Sequence, residues 1–259
     1  RLHLEQMAVA PPANVPTNPF SESYSEWTWE LYHRLSGRDG YTPANEASPF
    51  DLAAAIACPY PYQTGSARLV GRDLVARGHL MATMADALAT PSPRVVEFGP
   101  GWGNLTADLV AIGADVTAVE LDEKFCALVK ERCGGPGTLT VAHTDMLTFN
   151  TEQAFDAAVF FESFHHCADH LSMLGRLHDI VKPQGVVFFA SEPVQRMPFP
   201  WGPRLDGLSV WSSRTYGWLE LGFDDAYFTQ ALARTGWRAE RKQLGPRPAE
   251  TDVIVATRA

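Results

Sequence analysis

The stretch Glu97-Phe98-Gly99-Pro100-Gly101-Trp102-Gly103-Asn104 constrains this chain more than any other. It follows a short apolar run, Arg94 to Phe98, and precedes a helical pattern that reaches Ile112. It therefore reads as a strand–turn–helix junction. Glycines at such a junction let the backbone come close to a ligand, and the helix N-terminus offers free N–H groups. Several nucleotide sites share that geometry, so spacing must choose among them. A dinucleotide fingerprint needs G-x-G-x-x-G, whereas this turn reads G-x-G-x-G and has Asn104 at the last position. A P-loop needs G-K-[ST], which is absent. Glu97, just before the glycines, is a poor neighbour for a pyrophosphate and suits a cationic ligand.

Further runs continue the alternation. Strands are predicted at Asp115–Glu120, Thr138–Ala142, Phe155–Phe161, Val186–Ala190, Arg238–Leu244 and Asp252–Thr257. Helices are predicted at Asp122–Cys133, at Leu171–Val181, ended by the turn Lys182–Gly185, and at Asp224–Thr235, ended by Gly236. This texture predicts an α/β fold with a parallel sheet covered by helices. Upstream, Ser23 and Glu26 form a candidate capping box for a helix stopped at Gly37, and a second helix is expected over residues 72–89. Residues 1–19, rich in proline, read as a tail or linker, residues 20–93 as an N-terminal helical cap and residues 94–259 as the core. Residues 192–222 interrupt the alternation as a proline- and tryptophan-rich insertion on the substrate side.

Two acids are placed where a nucleoside could meet them. Glu120 closes the second strand, and a carboxylate there can accept both hydroxyls of a ribose. Asp145 follows the third strand and could accept from an adenine amino group, with Met146 against the ring. The net charge of −9 argues against nucleic acid as the partner. No apolar run reaches 18 residues, so no membrane span is expected. Cys58, Cys126, Cys133 and Cys167 form no C-x-x-C pair and read as free thiols of a reducing, cytoplasmic compartment. The start at Arg1 carries no signal-peptide pattern.

The pattern E-x-G-x-G-x-G, followed by Glu120 and Asp145, resembles class I S-adenosylmethionine-dependent methyltransferases over residues 94–259. The resemblance implies a Rossmann-like seven-stranded sheet of order 3-2-1-4-5-7-6 with the last strand antiparallel, an N-terminal helical extension and an insertion after strand five. It implies S-adenosyl-L-methionine as cofactor. By resemblance, Glu97, Gly99 and Gly101 hold the methionine part, Glu120 the ribose and Asp145 the adenine; Pro100, Gly103, Leu121, Met146 and Phe161 are also expected to line the cofactor. Tyr62 and Thr64, in Pro59-Tyr60-Pro61-Tyr62-Gln63-Thr64-Gly65, are expected to close over the cofactor. Glu-Phe-Gly-Pro-Gly also resembles the rRNA adenine dimethyltransferases. Their N-[LIP]-P-[YF] motif is replaced here by Phe161-Glu162-Ser163-Phe164-His165-His166-Cys167, which sets that branch aside.

That replaced segment lies where open α/β sheets place their ligands. A sugar hydroxyl becomes a good nucleophile when its proton is removed as it attacks, and histidine suits that task. His165 or His166 is the candidate base, with Glu162 to orient one of them. The run H-H-x-x-D-H over His165 to His170 matches no metal-ligand spacing, so no metal is expected. In the insertion, Trp201, Arg204, Asp206, Trp211 and Arg214 combine aromatic faces with charged groups, as a polar ring-shaped acceptor requires. N-P-F-S-E-x-Y, P-Y-P-Y-Q-T-G, F-E-S-F-H-H-C and P-W-G-P-R-L-D-G together resemble bacterial methyltransferases of polysaccharide and glycan biosynthesis, some of which are domains of larger chains. The expected activity is O-methylation of a sugar or glycan hydroxyl. The alternatives are N-, O- or C-methylation of a non-sugar small molecule and a cofactor-binding interaction module without turnover.

Overall fold

A computed structural model of the chain describes residues 8–58, 66–245 and 251–259. The strands are β1 (Arg94–Phe98), β2 (Asp115–Glu120), β3 (Thr138–His143), β4 (Phe155–Phe161), β5 (Val181–Ala190), β6 (Trp201–Pro203), β7 (Leu221–Phe223), β8 (Trp237–Lys242) and β9 (Val253–Arg258). The helices are α1 (Glu22–Ser36), α2 (Leu52–Ala57), α3 (Ala67–Ala87), α4 (Asn104–Ala111), α5 (Glu123–Arg132), α6 (His170–Ile180), α7 (Gly207–Thr215) and α8 (Asp225–Arg234). They divide into two compact units. One comprises Pro49–Phe164, Asp169–Glu192 and Leu232–Ala259; the other comprises Arg1–Ser48, His165–Ala168 and Pro193–Ala231.

The first unit is built on a seven-stranded sheet of order β3-β2-β1-β4-β5-β9-β8. Counting only its own strands, this is the expected 3-2-1-4-5-7-6. β1 pairs in parallel with β2 and β4, whereas β9 runs against both β5 and β8. Strands buried on both faces need continuous apolar sequence, which Arg94–Phe98 and Phe155–Phe161 supply. Phe160 pairs in register with Phe98 on one side and Phe189 on the other. Its ring stacks on both, at centroid distances of 4.9 and 5.2 Å. Leu80 and Met84 of α3 join Val95, Leu109, Val159 and Phe188 in the core of this unit. α3 therefore packs on the sheet, within the unit that begins at Pro49.

The register of β5 differs from expectation at its start. Phe155 pairs with Val181 and Ala157 with Val186, so the predicted turn Lys182–Gly185 becomes a bulge inside the strand. Lys182 Nζ donates to Asp156 Oδ1 at 2.6 Å across this irregularity.

The second unit gathers α1, the β6–β7 pair and α7. Ser21, not Ser23, caps α1, its hydroxyl accepting from the Tyr24 N–H, and Gly37 ends the helix at φ +70°. Leu31 and Leu35 pack with Phe199 and Leu205. Tyr24 and Tyr32 are fully buried, and their hydroxyls donate to the carbonyls of Trp201 and Gly217 at 2.8 and 2.7 Å. Residues 8–19, expected to be a tail, are tied in: the Val9 N–H donates to Leu205 O, and Trp201 Nε1 donates to Pro19 O. The 3-10 turn Pro43–Glu46 also belongs to this unit, whereas α2 belongs to the first.

Among the described residues no helix is long and apolar enough to cross a membrane. The four cysteines are free thiols. Replacing Phe160 by Ala removes a ring held between two others in a fully buried layer. It is expected to destabilise the protein by about 3–5 kcal/mol, read from the urea midpoint at unchanged slope.

Candidate active site

The glycine turn leaves β1 at Phe98 and enters α4 at Asn104. Gly99, Gly101 and Gly103 all have left-handed φ, at +67°, +50° and +73°. A residue with a Cβ is strained there, so the backbone favours glycine at all three positions. At Gly99 space is short too, since an added Cβ would lie 2.8 Å from the Ser163 Cβ. At Gly101 no atom of the described residues lies within 4 Å of the Cβ direction, so among those residues that side of the turn is open.

Two carboxylates are placed on this turn. Glu120, at the end of β2, accepts from the Gly101 N–H at 3.3 Å with one oxygen and from the Asp122 N–H at 2.9 Å with the other. Glu97 is fully enclosed, with Thr106 Oγ1 of α4 donating to it at 2.6 Å. Burial raises the Glu97 carboxyl to about 7, against the Thr106 bond that lowers it, and nearby Glu120 adds to the rise. Burial also raises Glu120. Two acids held back from ionisation beneath an open glycine turn favour a positively charged ligand, which relieves the cost of charging them.

The other expected cofactor residues lie in the same unit. Asp145 and Met146 follow β3 and are half-buried. Asp145 Oδ1 accepts from the Leu147 N–H at 2.7 Å, which shapes the turn. The Thr144 N–H donates to Glu120 O, which joins that turn to the end of β2. Pro100 is buried, Leu121 half-buried and Phe161 is the half-buried last residue of β4. Tyr62 and Thr64 lie outside the described residues.

Supporting residues that sequence reasoning missed surround the turn. Ser163 Oγ donates to Phe98 O at 2.6 Å, and the N–H groups of Ser163 and Phe164 both donate to Glu192 Oε1 at 2.8 Å. Arg132 of α5 donates to the carbonyls of Trp102 and Cys58, each at 2.6 Å. Phe50 and Trp102 pack with Phe125 of α5. Glu192, an acid directly after an apolar strand, was visible as a candidate; Arg132 had no local signal.

In the other unit, the rings of His165 and His166 lie 4.2 Å apart between centroids. His166 Nδ1 is 3.0 Å from Glu46 Oε2, and His165 Nε2 is 3.9 Å from Glu220 Oε2. The carboxylate 3.0 Å from His166 Nδ1 is thus Glu46, from the 3-10 turn. Glu162 ends β4 in a left-handed conformation, φ +51°, its N–H donating to Ala190 O. Among the described residues no group of three or more His, Cys, Asp or Glu side chains is placed to hold a metal ion.

The insertion residues are mostly engaged within their own unit. Trp201 is buried against Tyr24 and Tyr227, with its backbone and indole N–H groups both bonded. It is core of this unit and not a stacking face for an acceptor. Arg204 holds Glu220 at 3.0 Å and Ser209 Oγ at 2.7 Å. Asp206 caps α7 through the Ser209 N–H. Arg214 Nε donates to Leu35 O. Trp211 remains exposed, with its ring edge-on to Tyr216.

Residues 96–189 match the model of a methyltransferase domain. An uncharacterized methyltransferase of Oceanobacillus iheyensis is 27% identical over 114 residues, 43% of this chain and 52% of that protein. A ribosomal RNA small subunit methyltransferase A of Methylococcus capsulatus is 38% identical over 73 residues, 28% of either protein. The chain thus spans about half the length of the first relative and less of the second. The crystal structure of the Burkholderia thailandensis 1,6-didemethyltoxoflavin-N1-methyltransferase, with bound 1,6-didemethyltoxoflavin and S-adenosylhomocysteine, superposes with a TM-score of 0.52 at 18% identity. It covers 97% of this chain and 93% of that one. The chain therefore has the fold of such methyltransferases, and its residues 96–189 are similar to a methyltransferase domain.

The burial of Glu97 has a measurable sign. Below about pH 4.5 both folded and unfolded chains hold this proton. Between there and about 7 the unfolded chain releases it while the folded chain keeps it, so the group's contribution to stability is lost as pH rises. Glu97→Gln, which keeps an acceptor for Thr106, is expected to be more stable than the parent at pH 8 by about 1–3 kcal/mol. The gap closes toward pH 4.5 in urea titrations across pH. A gap independent of pH would show that Glu97 keeps ordinary acidity.

Proposed function

We propose that this protein transfers a methyl group from S-adenosylmethionine to a hydroxyl of a sugar or glycan acceptor. The observation that carries the methyl-donor part is the pair Glu97 and Glu120, buried beneath a glycine turn that is open at Gly101. The bound cofactor supplies an electrophilic methyl on a positively charged sulfur. Around it, Glu97 takes the cationic methionine end, Glu120 the ribose hydroxyls and Asp145 the adenine. The acidic pair fits such a cation and repels the phosphates of a dinucleotide.

The acceptor part rests on the histidines. An amine nucleophile can deliver its own lone pair, whereas a hydroxyl gains most from a base beside it. Two adjacent imidazoles, each near a carboxylate, supply that base. The roles of Trp211 and the remaining exposed groups of the insertion are those of an acceptor-facing surface. The glycan class itself rests on the motifs of the insertion and N-terminal segments.

The test couples binding to transfer. Glu120→Ala is expected to weaken S-adenosylmethionine binding about 10- to 100-fold by calorimetry, the cost of losing hydrogen bonds to a charged group. The double variant of His165 and His166 to Ala should keep that affinity and lose about 10²- to 10⁴-fold in turnover. Transfer of labelled methyl is then screened over monosaccharides, nucleotide sugars and phenols. Labelling confined to the phenols would overturn the sugar acceptor, and unchanged affinity in Glu120→Ala would overturn the ribose role.

A further inference from the structure

We propose that Glu46 is a positioning residue that fixes the tautomer of His166 and so makes His166 Nε2 the base of the transfer. The inference rests on the histidine-base reading above and decides between its two candidates.

Glu46 ends a tightly organised turn. The Asn45 side chain accepts from the Thr42 N–H at 2.8 Å, and the Asn45 N–H donates to Thr42 O at 2.9 Å. The Glu46 carboxylate is set by its surroundings: Oε1 accepts from the Leu219 N–H at 2.8 Å, which leaves Oε2 directed at His166 Nδ1, 3.0 Å away. Both side chains are largely enclosed, with 17% of Glu46 and 25% of His166 exposed. The Tyr41 hydroxyl donates to His166 O at 3.4 Å, and the Trp218 ring stands edge-on to the imidazole. The His166 Nδ1–H is close to the oxygen but not aligned with it, the looser geometry common to acid–base pairs before substrate binds.

A carboxylate oxygen 3.0 Å from a ring nitrogen repels a lone pair there and attracts a proton. Nδ1 therefore carries the hydrogen, and the lone pair sits on Nε2. His166 Nε2 then takes the acceptor's proton as the oxygen–methyl bond forms. The electron pair of the broken methyl–sulfur bond goes to sulfur, and the proton passes later to water.

The His165–Glu220 pair is set wider. The His165 ring nitrogen is 3.9 Å from Glu220, and Glu220 is already held by Arg204 at 3.0 Å. The charged groups around His166 are accordingly Glu46, the His165 ring, and behind it Glu220, Arg204 and Asp206. Arg38 lies with Glu46 near Tyr32.

The Leu219 N–H makes one substitution diagnostic. In Glu46→Gln that N–H selects the amide oxygen, so the amide NH₂ faces Nδ1 and moves the ring proton to Nε2. A shape-preserving change then disables the base, as a truncation does not. The experiment is ¹⁵N NMR of the histidine rings of the whole chain near neutral pH, assigned with His166→Ala, and needs no acceptor. The expected result is a protonated Nδ1 on His166 in the parent and a switch to protonated Nε2 in Glu46→Gln. A parent ring with Nε2 protonated, or a Glu46→Gln ring unchanged, overturns the proposal. If Glu46→Gln does not fold, the parent spectrum decides alone.

With the acceptor identified by the screen, Glu46→Gln should lose about 10²-fold or more in kcat, and more than Glu46→Ala, at unchanged KM for S-adenosylmethionine. Loss of kcat in His165→Ala but not in His166→Ala sinks this proposal and spares the histidine base. Full activity of both single variants and of the double variant sinks the base itself.

Discussion

Everything at the first site depends on burying two carboxylates under a turn that has no side chains of its own. Glu97 and Glu120 sit at the ends of adjacent parallel strands, β1 and β2, so the sheet delivers them together. Both side chains are buried, and each is held by a few donors: Thr106 for Glu97, and the N–H groups of Gly101 and Asp122 for Glu120. Those donors are too few to offset desolvation, which is why both groups hold their protons more tightly than free carboxylates do. Folding therefore leaves an electrostatic debt that a cation can discharge. Fold and ligand preference follow from one arrangement.

The parts of this arrangement that were legible in the sequence were local ones. The glycine turn, the strand ends at Glu120 and Phe161 and the limits of β4 could be read because short apolar runs and glycines act within a few residues. The sheet order followed from the resemblance those motifs carry. Boundaries slipped where two residues of the same chemistry compete: Ser21 and Ser23 both could cap α1, and it is Ser21 that accepts from the Tyr24 N–H. The Lys182–Gly185 turn was legible as a turn, but its absorption into β5 as a bulge depends on the partner strand.

What was not legible came from distant parts of the chain. Glu46 and His166 are far apart in sequence, and nothing in Pro-Ala-Asn-Glu marks its acid as a partner for a histidine. The insertion misled in the opposite sense. Its tryptophans and charged residues have the composition of a recognition surface, yet Trp201 is core, while Arg204 and Asp206 are committed to Glu220 and to α7. Composition records which groups are present, and only the fold records which of them are already engaged.

The contact between Gly99 and Ser163 reaches beyond the site it shapes. The serine methylene occupies the volume that a side chain at position 99 would need, while its hydroxyl and amide are claimed by Phe98 and Glu192. Neither position can drift by itself. A lineage in which the first glycine has been replaced must also have reshaped the exit of the fourth strand, so compensating changes at these two places, far apart along the chain, should mark any descendant that has abandoned this cradle.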